Sequence, residues 1–361
     1  MAKAKMTAAP ATRELHLLSQ LALAGDGEAA VRDLAAMAPE SRAAFLKLAH
    51  EHHVVIRSLQ PLQAAASRAG ASEVAEWAAN GLAGEQARIA NALQYLSAIA
   101  RELEAAGCPT TVMKSLDHWP DIGNDLDLYC EASEDATRAV FQQKFQATCQ
   151  PRTWGDHLAK KCGYRIPGLR ATVEVHHGRL GQTGEHTALA HRFITRRVPV
   201  QIGGYTFFLP APEERVIAAT LQRMYRHLYM RICDVANTAA LVESNQINYA
   251  ELRKAANLGG IWPGTVSYLQ IVADYIEQYR GQKLPLPRME APLLNGKSLF
   301  VRGPWLRVPV FPGVVSLYGR QMAAMMLRGD MPGVFRLGLL PPLASMATLA
   351  YKLTGSPRGI W

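Results

Sequence analysis

The chain has 361 residues, of which 49% are hydrophobic and 19% are charged. This length and composition provide enough apolar material for a substantial core, which excludes an intrinsically disordered or low-complexity protein. The 39 Lys and Arg residues exceed the 30 Asp and Glu residues and give a formal charge of +9, an excess that favours phosphate-rich ligands or anionic surfaces.

The cysteines and the apolar segments bear on the cellular compartment. Five cysteines are scattered without a Cys-x-x-Cys pair, so we expect reduced thiols in a cytoplasmic protein rather than disulfides or a zinc site. No apolar segment follows the basic N-terminal residues, and the apolar stretch 333–350 is interrupted by Arg336 and by Pro341-Pro342. We therefore expect neither a signal peptide nor a membrane-spanning helix.

Residues 1–106 are predicted to form an N-terminal helical region. Apolar residues recur at helical spacing from residue 12 onward, and the last helix is predicted from about residue 85 to residue 106. Gly107 is placed to end this helix, and Pro109 cannot continue it. The apolar stripe of this helix consists of Ile89, Leu93, Leu96, Ile99 and Leu103.

Residues 107–212 change to a pattern typical of a small α/β core. Strands are predicted at 110–113, 125–130, 164–166 and 172–176, with a helix at 136–145 and a hairpin at 198–209 around Gly203-Gly204. The segment 125–130 alternates polar and apolar residues with a period of two, as expected for a strand with one buried face. We predict a small mixed sheet.

Helical patterns return in residues 213–283, with helices predicted at 213–242, 249–257 and 266–279 that pack on the core. A Pro-containing connection leads to a basic tail, 284–361, which is predicted to be helical. From residue 297 onward this tail has eight Lys or Arg residues and one acid, Asp330. It could lie on a membrane surface, although packing on the core or on a second copy is favoured. The predicted fold class is α+β, with a mixed-sheet core flanked by N- and C-terminal helical regions.

Two acidic residues on one predicted strand are the first sign of a functional site. Side chains alternate between the faces of a strand, so Asp125 and Asp127 share a face about 7 Å apart. Carboxylates this close repel each other, and a divalent metal with oxygen ligands such as Mg²⁺ would compensate that repulsion. The alternative is an edge strand whose acidic face is simply solvated.

A third carboxylate lies on another predicted strand. Glu174 and His176 share one face of segment 172–176, while Val173 and Val175 share the other. If the two strands are neighbours, Glu174 converges with the first two carboxylates. Three carboxylates would allow a two-metal arrangement for phosphoryl chemistry.

The segment 93–130, LQYLSAIARELEAAGCPTTVMKSLDHWPDIGNDLDLYC, resembles the bacterial uncharacterised nucleotidyltransferase family, which is related to DNA polymerase β. The segments 173–177, VEVHH, and 227–234, HLYMRICD, resemble a strand and a following helix of the same family. The resemblance covers about residues 15–245. Its pattern differs at Lys114-Ser115, where the family has Lys-Gly.

The resemblance implies metal-dependent transfer of a nucleotidyl group from an NTP. It implies that Asp125, Asp127 and Glu174 bind Mg²⁺ or Mn²⁺, and that Glu174 is the general base. The first candidate for the donor is ATP. The products would be pyrophosphate and an acceptor modified at a hydroxyl or a phosphate.

Five further residues are candidates for contacting the nucleotide: Lys114, Ser115, His176, Arg231 and Asp234. Lys114 could neutralise phosphate charge, and the Ser115 hydroxyl could donate to a phosphate. His176 could orient the neighbouring glutamate or touch the nucleotide. The alternatives are an exposed lysine, an ordinary strand-end histidine, and an intrahelical ion pair between Arg231 and Asp234.

The predicted function is that of a cytoplasmic nucleotidyltransferase with an unidentified small-molecule, sugar or peptide acceptor. A nucleic acid acceptor is less favoured, and the basic tail could make peripheral contact with a membrane. One alternative is a metal-dependent glycosyltransferase that uses a nucleotide sugar, although about 95 helical residues before the first strand argue against it. The other is a catalytically inactive nucleotide-binding module, to which the altered Lys114-Ser115 turn would point.

Overall fold

The computed structural model describes residues 10–346. Among these residues, five α-helices precede the first strand: α1 (Pro10–Ser19), α2 (Gly27–Ala35), α3 (Pro39–Glu51), α4 (Val55–Arg68) and α5 (Ser72–Ala105). The last of them begins earlier than predicted because Val74, Ala78 and Leu82 extend its buried stripe. Gly107 follows it with φ +70°, which confirms that a left-handed glycine ends this helix.

The central part of the chain forms a mixed five-stranded sheet, which confirms the predicted α+β fold class. Its elements are β1 (Thr110–Val112), β2 (Asp125–Cys130), α6 (Glu134–Phe145), β3 (Thr148–Cys149), α7 (Trp154–Leu158), β4 (Lys161–Arg165) and β5 (Thr172–His177). The strand order is β1-β2-β5-β4-β3. The central pair, β2 and β5, is parallel, and the other pairs are antiparallel. The apolar faces of the central pair are fully buried.

The next segment confirms the predicted hairpin but divides the helix predicted at 213–242. The elements are α8 (Thr187–Thr195), β6 (Arg197–Ile202), β7 (Tyr205–Pro210), α9 (Pro212–Thr220), a π-helical turn (Leu221–Arg226), β8 (Tyr229–Met230), α10 (Ile232–Glu243), α11 (Tyr249–Gly259) and α12 (Trp262–Arg280). Between α9 and α10, Leu228 takes a left-handed conformation with φ +55°. Periodicity did not reveal this interruption, because the strand that pairs with β8 comes from the tail.

The tail contains two strands in a region that was predicted to be helical. They are β9 (Phe300–Arg302) and β10 (Trp305–Arg307), and they form a second antiparallel sheet of order β8-β10-β9. Two helices follow, α13 (Val315–Leu327) and α14 (Met331–Gly338). The tail contacts the rest of the chain through the Pro304 carbonyl, 2.7 Å from His52 Nε2, and through Gln321, 3.1 Å from His186.

The tail also bears on the expected membrane contact. Three apolar tail residues, Phe311, Leu327 and Phe335, are 80%, 88% and 71% exposed and could touch a membrane surface, so peripheral membrane contact stays a prediction. The last residues of the predicted tail, 347–361, lie outside the described part of the chain. Within residues 10–346, none of the helices has the length and apolar character needed to cross a bilayer.

Asp121 connects the loop before β2 to the N-terminal helices. Its carboxylate accepts the backbone N–H of Ile56 at 2.7 Å and of Arg57 at 3.3 Å, and the residue is 1% exposed. We expect Asp121→Ala to lower the free energy of unfolding by about 1–3 kcal/mol, because two buried donors at the start of α4 lose their acceptor. Asp121→Asn should cost less, since one oxygen can still accept. Urea unfolding measures both, and an Asp121→Ala variant as stable as the parent would contradict the prediction.

Candidate functional site

The site is built on the two parallel strands at the centre of the main sheet. In their register Asp127 lies directly opposite Glu174, and Asp125 lies opposite Thr172. Three possible metal-ligand atoms lie within 4.8 Å of one another: a carboxylate oxygen of Asp127, a carboxylate oxygen of Glu174 and a ring nitrogen of His176. The structure therefore brings together two of the three predicted carboxylates with the predicted histidine, and it places Asp125 at the exposed start of β2.

Two lysine ammonium groups contact these carboxylates. Lys114 Nζ lies 2.6 Å from Asp127 Oδ1. Lys161 Nζ lies 3.0 and 3.1 Å from the two Glu174 oxygens and 3.2 Å from Asp156 Oδ1. Sequence reasoning missed Lys161 and Asp156, because only the sheet order shows that β4 lies beside β5.

The charges around the site set its protonation states. Burial alone would raise the pKa of the Asp127 carboxyl, but Lys114 and the hydrogen bond with His176 lower it below its usual range. Although Asp125 is exposed, the protein around its carboxyl group keeps part of the solvent away. This desolvation, followed by repulsion from Glu174 and Asp127, raises the pKa of Asp125 to about 6. Burial and the charge of Lys114 lower the pKa of His176 to about 3, so at neutral pH its ring is uncharged.

The turn before the site shows how this chain accommodates Ser115 at the position where the family has glycine. Lys114 has φ +63° and ψ −56°, and the Ser115 N–H donates to the Met113 carbonyl at 2.6 Å, which together define a strained γ-turn. The Ser115 hydroxyl donates to the Asp125 carbonyl at 3.1 Å and accepts the Asp127 N–H at 2.7 Å. Ser115 is 1% exposed and holds the start of β2. The left-handed backbone falls on Lys114, so position 115 does not require glycine.

Arg231 and Asp234 do not join the carboxylates of the main sheet. Arg231 immediately precedes α10, and Asp234 accepts its backbone N–H at 2.7 Å. The Asp234 carboxylate also lies 2.7 Å from Nε of Arg223, a residue that sequence reasoning did not single out. The Arg231 guanidinium donates to Nε2 of His53 at 2.8 Å.

A pocket adjoins the carboxylates on the side of the π-helical turn. We call it the Arg226 pocket; it has a volume of about 40 Å³, and its polar lining consists of Lys114, His176, Gln182, Glu185, Gln222, Tyr225 and Arg226. The side chain of Arg226 forms no hydrogen bond or ion pair in the described part of the chain, although the residue is only partly exposed. Turns of π-helix are frequent at functional sites, and this one was invisible to helical periodicity.

The donor set fits a hard divalent cation. Carboxylate oxygens are the ligands that Mg²⁺ and Mn²⁺ prefer, and an uncharged imidazole can complete such a set. Asp127 is ionised, so it does not have to lose a proton before it binds a cation. The ring of His176 is uncharged, but its Nε2–H donates to Asp127, so Nε2 can bind a cation only after this proton has moved to Nδ1. Lys114 and Arg226 add positive charge on the pocket side, where an anionic ligand would be attracted.

Comparison with known proteins identifies a family and shows a distant structural likeness. A family model described as an uncharacterised nucleotidyltransferase matches residues 39–275. No curated protein matches the chain. Among solved structures, the crystal structure of an antigenic nucleotidyltransferase-like protein from Paracoccidioides brasiliensis is similar with a TM-score of 0.31 and 15% sequence identity. That match covers 48% of this chain and 90% of the other.

Proposed function

The chain belongs to the uncharacterised nucleotidyltransferase family, and from this premise we propose that it transfers a nucleoside monophosphate from an NTP to an acceptor and releases pyrophosphate. The observation that carries the proposal is the register of β2 and β5, which sets Asp127 opposite Glu174, next to a pocket lined by Lys114 and Arg226. This arrangement offers adjacent places for a divalent cation and for a polyphosphate.

Asp127 and Glu174 would hold Mg²⁺ or Mn²⁺, with Asp125 at the solvent edge and His176 beside Asp127. When bound, the metal would withdraw charge from the α-phosphate and from the attacking oxygen. Ser115 keeps the start of β2 in place through its two backbone hydrogen bonds. Lys161 keeps Glu174 in place by contacting both of its oxygens.

The Arg226 pocket would bind the β- and γ-phosphates of the donor, with ATP as the first candidate. Lys114 stands between Asp127 and the pocket, so its ammonium can move from the carboxylate to a phosphate oxygen. Arg226 has no partner among the described residues and is free to form charge-assisted hydrogen bonds. Catalysis then consists of holding donor and acceptor in line and compensating the charge.

The acceptor would attack the α-phosphorus through a hydroxyl or phosphate oxygen. Glu174 is the candidate to receive the proton of an acceptor hydroxyl. A small molecule, a sugar or a peptide could supply this group. Pyrophosphate formed from an NTP supports this reaction, whereas a nucleoside diphosphate formed from a nucleotide sugar would indicate a glycosyltransferase. Binding without either product would indicate an inactive nucleotide-binding module.

Replacing Arg226 tests the phosphate assignment. We expect Arg226→Gln to weaken NTP binding in the presence of Mg²⁺ by roughly 10- to 100-fold, the loss typical of one or two hydrogen bonds to a charged group. Stability should change little, because Arg226 has no ion pair with a described residue. Arg165→Gln, at an exposed position on β4, is the matched control. Calorimetric titration gives the Kd, and equal values for the two variants would refute the assignment.

A further inference from the structure

Three guanidinium groups surround the ring of Tyr229 on β8. The guanidinium carbons of Arg223, Arg231 and Arg307 lie 5.5, 5.8 and 5.2 Å from the ring centroid. We call these three residues the arginine cluster. Like charges gathered around one ring repel each other, and cation–π contact with that ring compensates only a small part of the repulsion.

The positive charge of the arginine cluster exceeds the negative charge that is paired with it. Within residues 13–346, Asp234 is the one carboxylate that pairs with it, at 2.7 Å from Arg223. Arg231 donates to His53, and burial lowers the pKa of His53 well below its usual value, so this partner carries no charge. The side chain of Arg307 makes no hydrogen bond or ion pair with a described residue. Two positive charges are therefore uncompensated.

Each member of the cluster also has a buried N–H group without a partner. These groups are Nη1 of Arg223 and the Nε atoms of Arg231 and Arg307. Arg223 as a whole is 2% exposed. Buried donors are rarely left unpaired in folded proteins, and three of them around one ring indicate a place built to receive an acceptor of hydrogen bonds.

The arginine cluster lies next to the Arg226 pocket but outside it. Arg223 and Arg226 belong to the same π-helical turn. His227 follows that turn, and its ring centroid lies 5.6 Å from that of Tyr229. Burial lowers the pKa of His227, and so do the charges of Arg226, Arg223, Arg231 and Lys114, so His227 is near cations of both groups.

We propose that the arginine cluster binds a phosphate group carried by the acceptor. This inference rests on the proposed function, because it assigns the second substrate of the same site. A phosphate dianion would neutralise the two uncompensated charges and accept hydrogen bonds from the unpaired N–H groups, in the fork geometry that suits arginine. The rings of Tyr229 and Trp305, whose centroids are 4.6 Å apart and whose planes are inclined by 36°, offer aromatic contacts to the group that carries the phosphate.

Inorganic phosphate is the probe, with sodium chloride at equal ionic strength as the reference. We expect phosphate to raise the Tm of the parent protein and of Arg302→Gln, an exposed control on the same hairpin. In Arg307→Gln the affinity for phosphate should fall at least ten-fold. The Arg307 side chain has no hydrogen bond or ion pair with a described residue to lose, and its replacement removes one contact with the Tyr229 ring, so the fold should stay intact. No response in the parent, or an equal response in Arg307→Gln, would overturn the proposal.

Two further measurements separate this site from the donor site. NTP binding with Mg²⁺ should be unchanged in Arg307→Gln, and a weakened Kd would assign the cluster to the donor and overturn the acceptor proposal. If phosphate no longer raises the Tm of Arg226→Gln but still raises that of Arg307→Gln, the phosphate binds in the Arg226 pocket. This result would also overturn the acceptor proposal. The parent protein could also bind no NTP but still bind phosphate in a way that requires Arg307. This result would contradict the proposed nucleotidyl transfer and support the phosphate site at the arginine cluster.

Discussion

Replacing Asp127 with asparagine is expected to reduce metal-dependent NTP binding, and any transfer activity, by at least about 100-fold, since the loss of residues that only orient metal ligands already costs 10- to 100-fold. Asparagine keeps the shape of the side chain and can still accept from Lys114. It removes the negative charge that a divalent cation requires at the centre of the site. Asp127→Ala is a less selective change, because it leaves the Lys114 side chain, 14% exposed, without its acceptor.

Thermal melting with each NTP, with and without Mg²⁺ or Mn²⁺, measures this effect. A ligand at about 100 times its Kd adds roughly 2.7 kcal/mol to the stability of the native state, which gives a clear rise in Tm. The control is Asp135→Asn, an exposed acid on α6 whose side chain is 89% exposed. The control should keep the metal-dependent shift and Asp127→Asn should lose it. A shift of equal size in both variants would place the metal elsewhere.

The second large effect is expected at Asp234, and it concerns stability. Asp234→Ala should lower the free energy of unfolding by about 3–5 kcal/mol, the loss typical of removing one partner from a buried ion pair. Arg223 would then be buried without a counter-charge, next to Arg231. Typical domains are stable by only about 5–15 kcal/mol, so the variant should unfold at much lower denaturant concentration.

Urea unfolding of Asp234→Ala, compared with Asp33→Ala, tests this expectation. Asp33 pairs with Arg13 at 2.9 Å, but the two side chains are 41% and 65% exposed, and such pairs contribute about 0–1 kcal/mol. Equal losses in the two variants would contradict the buried role of Asp234. A variant with parental stability and weaker NTP binding would instead support the contact with the nucleotide that the family resemblance suggested.

Local patterns in the sequence were sufficient for the elements that a short segment specifies. The alternation in 125–130 predicted β2 with both aspartates on one face, and the Gly203-Gly204 pair predicted the hairpin. Glu174 and His176 were assigned to one face of a strand for the same reason. These signals are local because side-chain direction in a strand repeats every two residues, and tight turns need particular residue types.

Partners that are distant in the chain were decided by tertiary structure alone. No periodicity shows that Asp127 lies opposite Glu174 or that Lys161 reaches that glutamate, because strand order and register depend on pairing between separate segments. The spacing of Arg231 and Asp234 suggested a pair within one helix, yet the side chain of Asp234 pairs with Arg223. Sequence patterns thus predicted which residue types share a face, and the packing of distant segments determined which charges meet.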